Sequence, residues 1–454
     1  MISWLRRRRP GVWALIVAGT FALVYVPSGP GYVSPDMAQY LNQTYTLLGK
    51  TPQEAREHTI QVFCGQFRTP RLVSLNPRGP ADPRAGRRQA QQCIERTHRE
   101  GALPNDNKYG PAITKSGPVM SARYEAIFLS RPGVAVLSAP AVALLPDRLA
   151  LGLTALVLML VGGFLIYLFL RVLKAPPGIA ILGQALYYVL PTAEWSIDPK
   201  GEAAVLALTA AVLLGVAYVV TGRTRLGLTV LSFSFVAGFL VKYSQFMLIG
   251  AALTGTAVLA ALLARRAARP VRPLLIVAAT ALAGTLLQFF GAKLVGWPGG
   301  SESMQDLLTN HFAEPDVPDP VAQWLRLNSY YWPWWLTEQL RAPLALVSWL
   351  VAGWGLFRAR SRVAFAVFAV AMSAFVNQFG HPEPGQADRL IVSLWFLVIC
   401  GLPILLTYLV ARRDGTDAGG FGTAHDEASE PPADGTAWTP RQYRSPEKAE
   451  LAGP

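Results

Sequence analysis

This sequence predicts an all-α polytopic membrane protein of about ten transmembrane helices, with a large first loop outside the membrane. Three observations predict it. Of 454 residues, 52% are hydrophobic and 15% charged, with a mean hydropathy of +0.31, whereas a soluble domain carries about 25% charged residues. Apolar runs of about 17 to 25 residues recur, enough to cross about 30 Å of hydrocarbon at about 1.5 Å per residue. Basic clusters fall in the short connections between those runs, where positive residues mark the cytoplasmic side.

The elements follow in order. Residues 1–9 carry Arg6 to Arg9 and form a cytoplasmic N-terminus. Span 1 covers about 10–26; no small-x-small cleavage motif follows it, so it reads as a retained span rather than a leader. The first extracytoplasmic loop, 27–147, ends in "RPGVAVLSAPAVALLP" (Arg131 to Pro146). That run is short for a crossing, and counting it would invert every later basic cluster. It reads as a juxtamembrane helix lying along or dipping into the outer face. Spans 2 to 4 cover about 148–171, 178–194 and 203–220. Spans 5 to 7 cover about 226–241, 244–263 and 274–296. A second large outer loop, 297–342, precedes spans 8 to 10 at about 343–357, 363–378 and 390–410.

This register places Arg171 with Lys174, Arg223 with Arg225, Arg265 to Arg272, Arg358 to Arg362, and Arg412 with Arg413 inside. Both termini are then cytoplasmic, in a plasma membrane. Topology accounts for the net charge of +13, and no nucleic-acid partner is needed to explain it. The tail, 411–454, is rich in Gly, Ala, Pro and acids and is expected to be disordered. Cys64 and Cys93 share the first outer loop, where a disulfide is chemically permitted and would contribute about 3 kcal/mol. Cys400 falls within span 10 as a small apolar residue.

Function has to be sought among outer polar groups. In "GYVSPDMAQYL", Ser34, Pro35 and Asp36 give a helix start: an N-cap, a proline at the first position and an acid in the first turn. Asp198, in "EWSIDPKGEAAVLAL", stands before a second helix start with Lys200 beside it. A helix N-terminus next to a cation suits an anion such as phosphate. Two such carboxylates suit transfer to a hydroxyl, if they lie together: one takes the acceptor proton while cations hold the departing phosphate. Arg123 and Arg131 flank an aromatic–apolar run, and Arg131 opens the juxtamembrane helix, where a guanidinium pairs with phosphate or snorkels.

The order of these motifs resembles the polyprenyl-phosphate-dependent glycosyltransferases of the GT-C fold, in particular the protein O-mannosyltransferase and aminoarabinose-transferase branch. The likeness covers roughly residues 10 to 265 and, weakly, "QADRLIVSLWFL" (Gln386 to Leu397). It implies a GT-C-like transmembrane domain over 10–410. Asp36 then matches the acid that acts as general base or orients the acceptor, Asp198 the second-loop acid, and Arg131 the lipid-phosphate contact. "GFLVKYSQF" makes Lys242 a further donor-binding candidate, as Arg389 is at the entry of span 10. Met37 stands where many relatives carry a second acid, and Ser130 where some carry a metal-binding glutamate, which puts metal dependence in doubt.

Two further outer groups stand out. "WLRLNSYYWPWWLTEQLRAP" is aromatic enough for an interfacial belt or for a lid and sugar-stacking wall. His311 with Glu302, Glu314 and Asp316 offers a possible divalent-metal set, and no other cofactor is implied. His381, Glu383 and Asp388 share the loop of Arg389. The resulting expectation is an integral membrane enzyme that moves a sugar from a polyprenyl-phosphate donor to a glycan, protein or lipid acceptor on the extracytoplasmic face. The alternative is a transporter or flippase of an amphiphile. It predicts ionisable groups near the bilayer midplane, whereas spans 2, 4 and 10 hold none in their interiors. A GT-C-shaped assembly protein without catalysis is a third possibility.

Overall fold

The computed structural model describes residues 10–26, 34–66, 83–100, 122–312, 314–359 and 361–414. The expected basic N-terminus and disordered tail lie outside them, apart from the helix end at 411–414. All regular structure among the described residues is helical. Helix α1 is Pro10–Tyr25, α2 Pro35–Leu47, α3 Pro52–Gly65, α4 Pro83–Glu100, α5 Ala122–Leu129 and α6 Pro132–Leu144. Then come α7 Asp147–Val172, α8 Pro177–Val189, α9 Pro191–Ile197, α10 Glu202–Val220, α11 Thr224–Arg266 and α12 Arg272–Leu294. The last six are α13 Gly300–Leu308, α14 Pro320–Arg341, α15 Leu344–Arg358, α16 Ala364–Gly380, α17 Ala387–Leu390 and α18 Phe396–Arg413. Proline opens many of these helices because its missing N–H is one that no helical carbonyl would receive at the first position.

Helices α7, α10, α11, α12 and the run Pro384–Arg413 are long and apolar enough to cross a membrane. Two bent pairs bring the number to seven if each is one span: Arg123–Leu129 with Pro132–Leu144, bent by 66°, and α14 with α15, bent by 91°. The chain is thus an all-α, multi-pass membrane protein. Exposed Leu, Phe and Val line the flanks of α7, α11 and α12, as a lipid-facing surface requires. Helix α10 is buried along most of its length and forms the centre of the bundle.

The fifth and sixth expected spans emerge as one 43-residue helical segment, α11, broken only at Lys242 (φ −165°, ψ 74°). The break is a reversal. A Cβ on Gly250 would meet the Phe235 ring at 3.2 Å, although fifteen residues of straight helix span about 22 Å. Phe246 is fully buried and its ring lies on Gly238, closing the hairpin just below Lys242. Gly215 and Gly227 lie close enough for α10 and the first limb of α11 to touch backbone to backbone. The second limb meets α12 through Gly250, Thr285 and Ala281. Lys242 therefore stands at the same end of the bundle as Glu202, opposite the arginine-rich turns.

Helices α2 to α6 pack upon that end. Helices α2, α3 and α4 share a core of Met37, Leu41, Phe63 and Ile94, and the expected Cys64–Cys93 disulfide is formed, with its Cα atoms 5.6 Å apart. The juxtamembrane run is α6. Its Gly133 abuts the backbone of Leu240 and the side chain of Val241 at the hairpin tip, at distances that leave no room for a Cβ. Gly201, at φ +95°, caps α10 against Val134 of α6 and Tyr40 of α2. The positive φ and the close packing together favour glycine there. These two glycines draw the heads of α2, α6 and α10 together around Lys242.

Candidate functional site

The first turn of α2 places Asp36. Ser34 accepts a hydrogen bond from the Met37 N–H at 3.2 Å, and Pro35 occupies the first helical position. Asp36 Oδ2 meets Arg389 at 2.7 Å. The same guanidinium donates through Nε to Glu202 Oε1 at 2.7 Å, and Lys242 reaches that oxygen at 3.4 Å. These side chains are largely buried: 11% exposed for Arg389, 4% for Glu202, 13% for Lys242 and 19% for Asp36. Burial opposes the charged form of Asp36, but Arg389, Lys200 and Arg131 outweigh it and hold its carboxyl below the usual range. Arg131, at the bend between α5 and α6, lies beside Tyr40 and is close enough to act electrostatically on Asp36.

Asp198 ends α9 and pairs with Lys200 at 2.7 Å. Burial raises its carboxyl above the usual range despite that lysine. Its Oδ1 and Oε2 of Glu202 are buried without a hydrogen-bond partner. Asp36 and Asp198 make no direct contact among the described residues; Lys200 acts on both. The cluster thus holds four cations (Arg131, Lys200, Lys242 and Arg389) and three carboxylates (Asp36, Asp198 and Glu202). Within this cluster cations outnumber carboxylates, which suits an anion.

Beside the cluster lies a cavity of about 750 Å³, within the range of small-molecule sites. Asp36, Arg131, Lys200, Lys242 and Arg389 line it together with apolar Ile127, Phe128, Met247, Leu248 and Val376. Two histidine–carboxylate pairs line it as well. His311 Nδ1 lies 2.9 Å from Asp306 Oδ1, and His381 Nε2 lies 3.3 Å from Glu383 Oε2. Burial disfavours the His311 cation, yet the bond to Asp306 and the charges of Asp306, Glu383 and Asp36 raise its proton affinity above that of free imidazole. His381 holds the Glu383 carboxyl below the usual range.

Several expectations need correction. Arg123, taken as a donor-binding residue, does not line the cavity. It binds Glu302 at 2.9 Å and Asp316 at 2.7 Å, and its guanidinium covers Phe312. Two carboxylates of the set offered around His311 are bound by Arg123, and the histidine pairs with Asp306. No group of three or more His, Cys, Asp or Glu suited to a metal occurs among the described residues. Asp198 does not line the cavity either; Lys200 does. The aromatic segment divides its roles. Trp324 lines the cavity and donates to the Phe379 carbonyl at 3.0 Å, whereas Trp332 and Trp335 pack on Phe375 and bind α14 to α16.

Sequence reasoning missed Glu202 and Asp306. Glu202 was visible in "DPKGEAAVLAL" as the first helical residue, where an acid is ordinary. Its pairing with Arg389, 187 positions away, left no local signal. Comparison with protein-family models, characterised proteins and solved structures returns no match for this chain.

Proposed function

We propose that this protein is a GT-C-like membrane glycosyltransferase that uses a polyprenyl-phosphate-linked sugar and transfers that sugar to an acceptor hydroxyl on the extracytoplasmic face. The observation that carries the reading is the cavity itself. A largely buried carboxylate stands among four cations beside an apolar wall at the end of the bundle opposite the arginine-rich turns. The four clustered cations suit a phosphodiester, and the apolar wall suits the first isoprene units. In this reading α11 supplies two crossings. The short apolar helices α1, α8 and α16 and the bent pair α14–α15 complete ten, with α5 and α6 along the outer face, both termini cytoplasmic and the cavity outside.

The chemistry is a displacement at the anomeric carbon. The acceptor oxygen forms a bond to that carbon as the bond to the phosphate oxygen breaks, and the electron pair leaves on the lipid monophosphate. Arg131, Lys200, Lys242 and Arg389 are placed to hold the growing phosphate charge. Asp36 receives the acceptor hydroxyl. Asp198 acts through Lys200, whose position it fixes.

The test is transfer by purified protein in nanodiscs from radiolabelled polyprenyl-phosphate sugars to membrane-extract acceptors, comparing wild type with Asp36→Asn. Transfer or donor hydrolysis by wild type, lost in a folded variant that still binds donor, supports the reading. Equal activity in both confines Asp36 to helix capping. Donor binding without turnover by wild type shifts the assignment to transport or assembly.

A further inference from the structure

We propose that His311, oriented by Asp306, is the general base that takes the proton of the acceptor hydroxyl, while Asp36 positions that hydroxyl. This assignment rests on the glycosyl-transfer reading above. Asp36 makes a poor proton acceptor in the structure described, because Arg389 binds its carboxylate at 2.7 Å and stabilises the charged form. His311 lines the same cavity. Its Nδ1 is held 2.9 Å from Asp306 Oδ1. With Nδ1–H donating to that carboxylate, Nε2 is the nitrogen that accepts a proton. A histidine fixed in one tautomer by an acid is a general-base arrangement that works near neutral pH.

The turn carrying His311 is built to hold one geometry. Asn310, His311 and Phe312 have consecutive positive φ angles of 50°, 60° and 60°, a costly conformation for residues with side chains. Three contacts maintain it. Thr309 Oγ1 accepts from the Phe312 N–H at 3.1 Å. Gln305 clamps Val317 through both its amide atoms, at 2.9 and 3.0 Å. Arg123 ties Glu302, before the turn, to Asp316, after it, and covers Phe312. The Tyr124 ring stacks on the imidazole with centroids 4.6 Å apart. The charged groups acting on His311 are Asp306 on its own segment, Glu383 from the connection before α17, and Asp36 from α2.

In the step so assigned, the acceptor O–H proton passes to His311 Nε2 as the acceptor oxygen bonds to the anomeric carbon. The bond from that carbon to the phosphate oxygen breaks, and the imidazolium keeps its Nδ1 proton, donated in a hydrogen bond to the Asp306 carboxylate. Protonated His311 accepts nothing, so transfer falls as pH drops through its raised pKa.

The experiment measures transfer at saturating polyprenyl-phosphate sugar, in nanodiscs, from pH 5.5 to 8.5. Wild type is expected to lose about tenfold per pH unit below a midpoint above about 6.5. His311→Gln is expected to lose about 100-fold or more of kcat at pH 7.5, with no acid limb and unchanged donor binding. Asp306→Asn should move the acid midpoint downward, and free imidazole should restore part of the activity of His311→Ala. His98→Gln, on the far helix α4 beside Glu57, should behave as wild type. His311→Gln within threefold of wild type, with its acid limb intact, overturns the assignment and leaves the glycosyl-transfer reading standing. If that variant does not fold, an Asp306→Asn midpoint identical to wild type overturns it instead. Wild type without transfer from any donor overturns both.

Discussion

Replacing Arg389 with glutamine removes a side chain that binds two largely buried carboxylates at once. At an effective dielectric of about 20, a contact of 2.7 Å is worth about 6 kcal/mol gross and one of 3.4 Å about 5 kcal/mol, before the cost of desolvating both partners. Glu202 keeps Lys242 at 3.4 Å when Arg389 is lost. Asp36 keeps only the longer-range fields of Lys200 and Arg131. The net cost is therefore that of stranding one buried charge, about 3–5 kcal/mol. Glu202→Gln is milder, because Arg389 still holds Asp36, and should cost about 1–3 kcal/mol. The assay is reversible unfolding of purified protein in mixed micelles of increasing denaturing-detergent fraction, run as a double-mutant cycle. The double variant should be more stable than the sum of the single losses by at least about 1 kcal/mol. An Arg389→Gln loss below about 0.5 kcal/mol, the level of an uninvolved surface change, refutes the reasoning, as does strict additivity.

Three other outcomes follow from the structure. Because the folded-state pKa of Asp36 is depressed, its contribution to stability is complete above the unfolded value of about 3.9 and is lost as pH falls through the folded value. Melting temperature between pH 6 and 3 should fall more steeply for wild type than for Asp36→Asn, and parallel curves contradict the pairing. Reduction of Cys64–Cys93, which are 29 positions apart, should destabilise α3 and α4 by about 3–4 kcal/mol in the chain-entropy account. Protease cleavage should then appear within residues 51–100 before the rest of the chain is cut, and unchanged resistance excludes a structural role. Gly238→Ala drives a Cβ to 2.3 Å from the buried Phe246 ring and should cost about 1–3 kcal/mol. Gly255→Ala in the same segment meets nothing within 4 Å and should be neutral in thermal unfolding. Equal stability of the two variants refutes the hairpin.

Much of the fold was legible because bilayer physics writes it locally. An apolar run of the right length declares a helix, and a basic cluster declares a turn between helices. Ser34, Pro35 and Asp36 announced α2 within one residue of where it starts. What sequence described as two spans joined at Lys242 is a reversal of almost no length, because Gly238 lets Phe246 fold directly onto the preceding limb. The short expected span at about 178–194 is cut at Pro191 into α8 and α9. Periodicity hides that break, since both pieces are apolar and the proline suits the first turn of the second.

The site was legible only in the part that sits at helix starts. Asp36, Arg131, Lys200 and Lys242 each stand at a helix boundary, where a charge among apolar runs is conspicuous, and they converge because Gly133 and Gly201 admit close backbone contact. Their partners were not legible, for two different reasons. Glu202 looks like an ordinary first-turn acid until the chain returns nearly 200 residues later with Arg389. The His311–Asp306 pair is local, five residues apart, but no standard spacing marks it, because the left-handed run at 310–312 and not a helix brings the two side chains together. The same long-range closure misled the reading of Arg123. Its position next to an aromatic–apolar run suggested a phosphate contact, yet Glu302 and Asp316, 179 and 193 positions on, satisfy it first. An arginine already neutralised by two carboxylates offers little to a phosphate. Arg131, beside an uncharged tyrosine and sharing Asp36 with Arg389, retains the charge to do so.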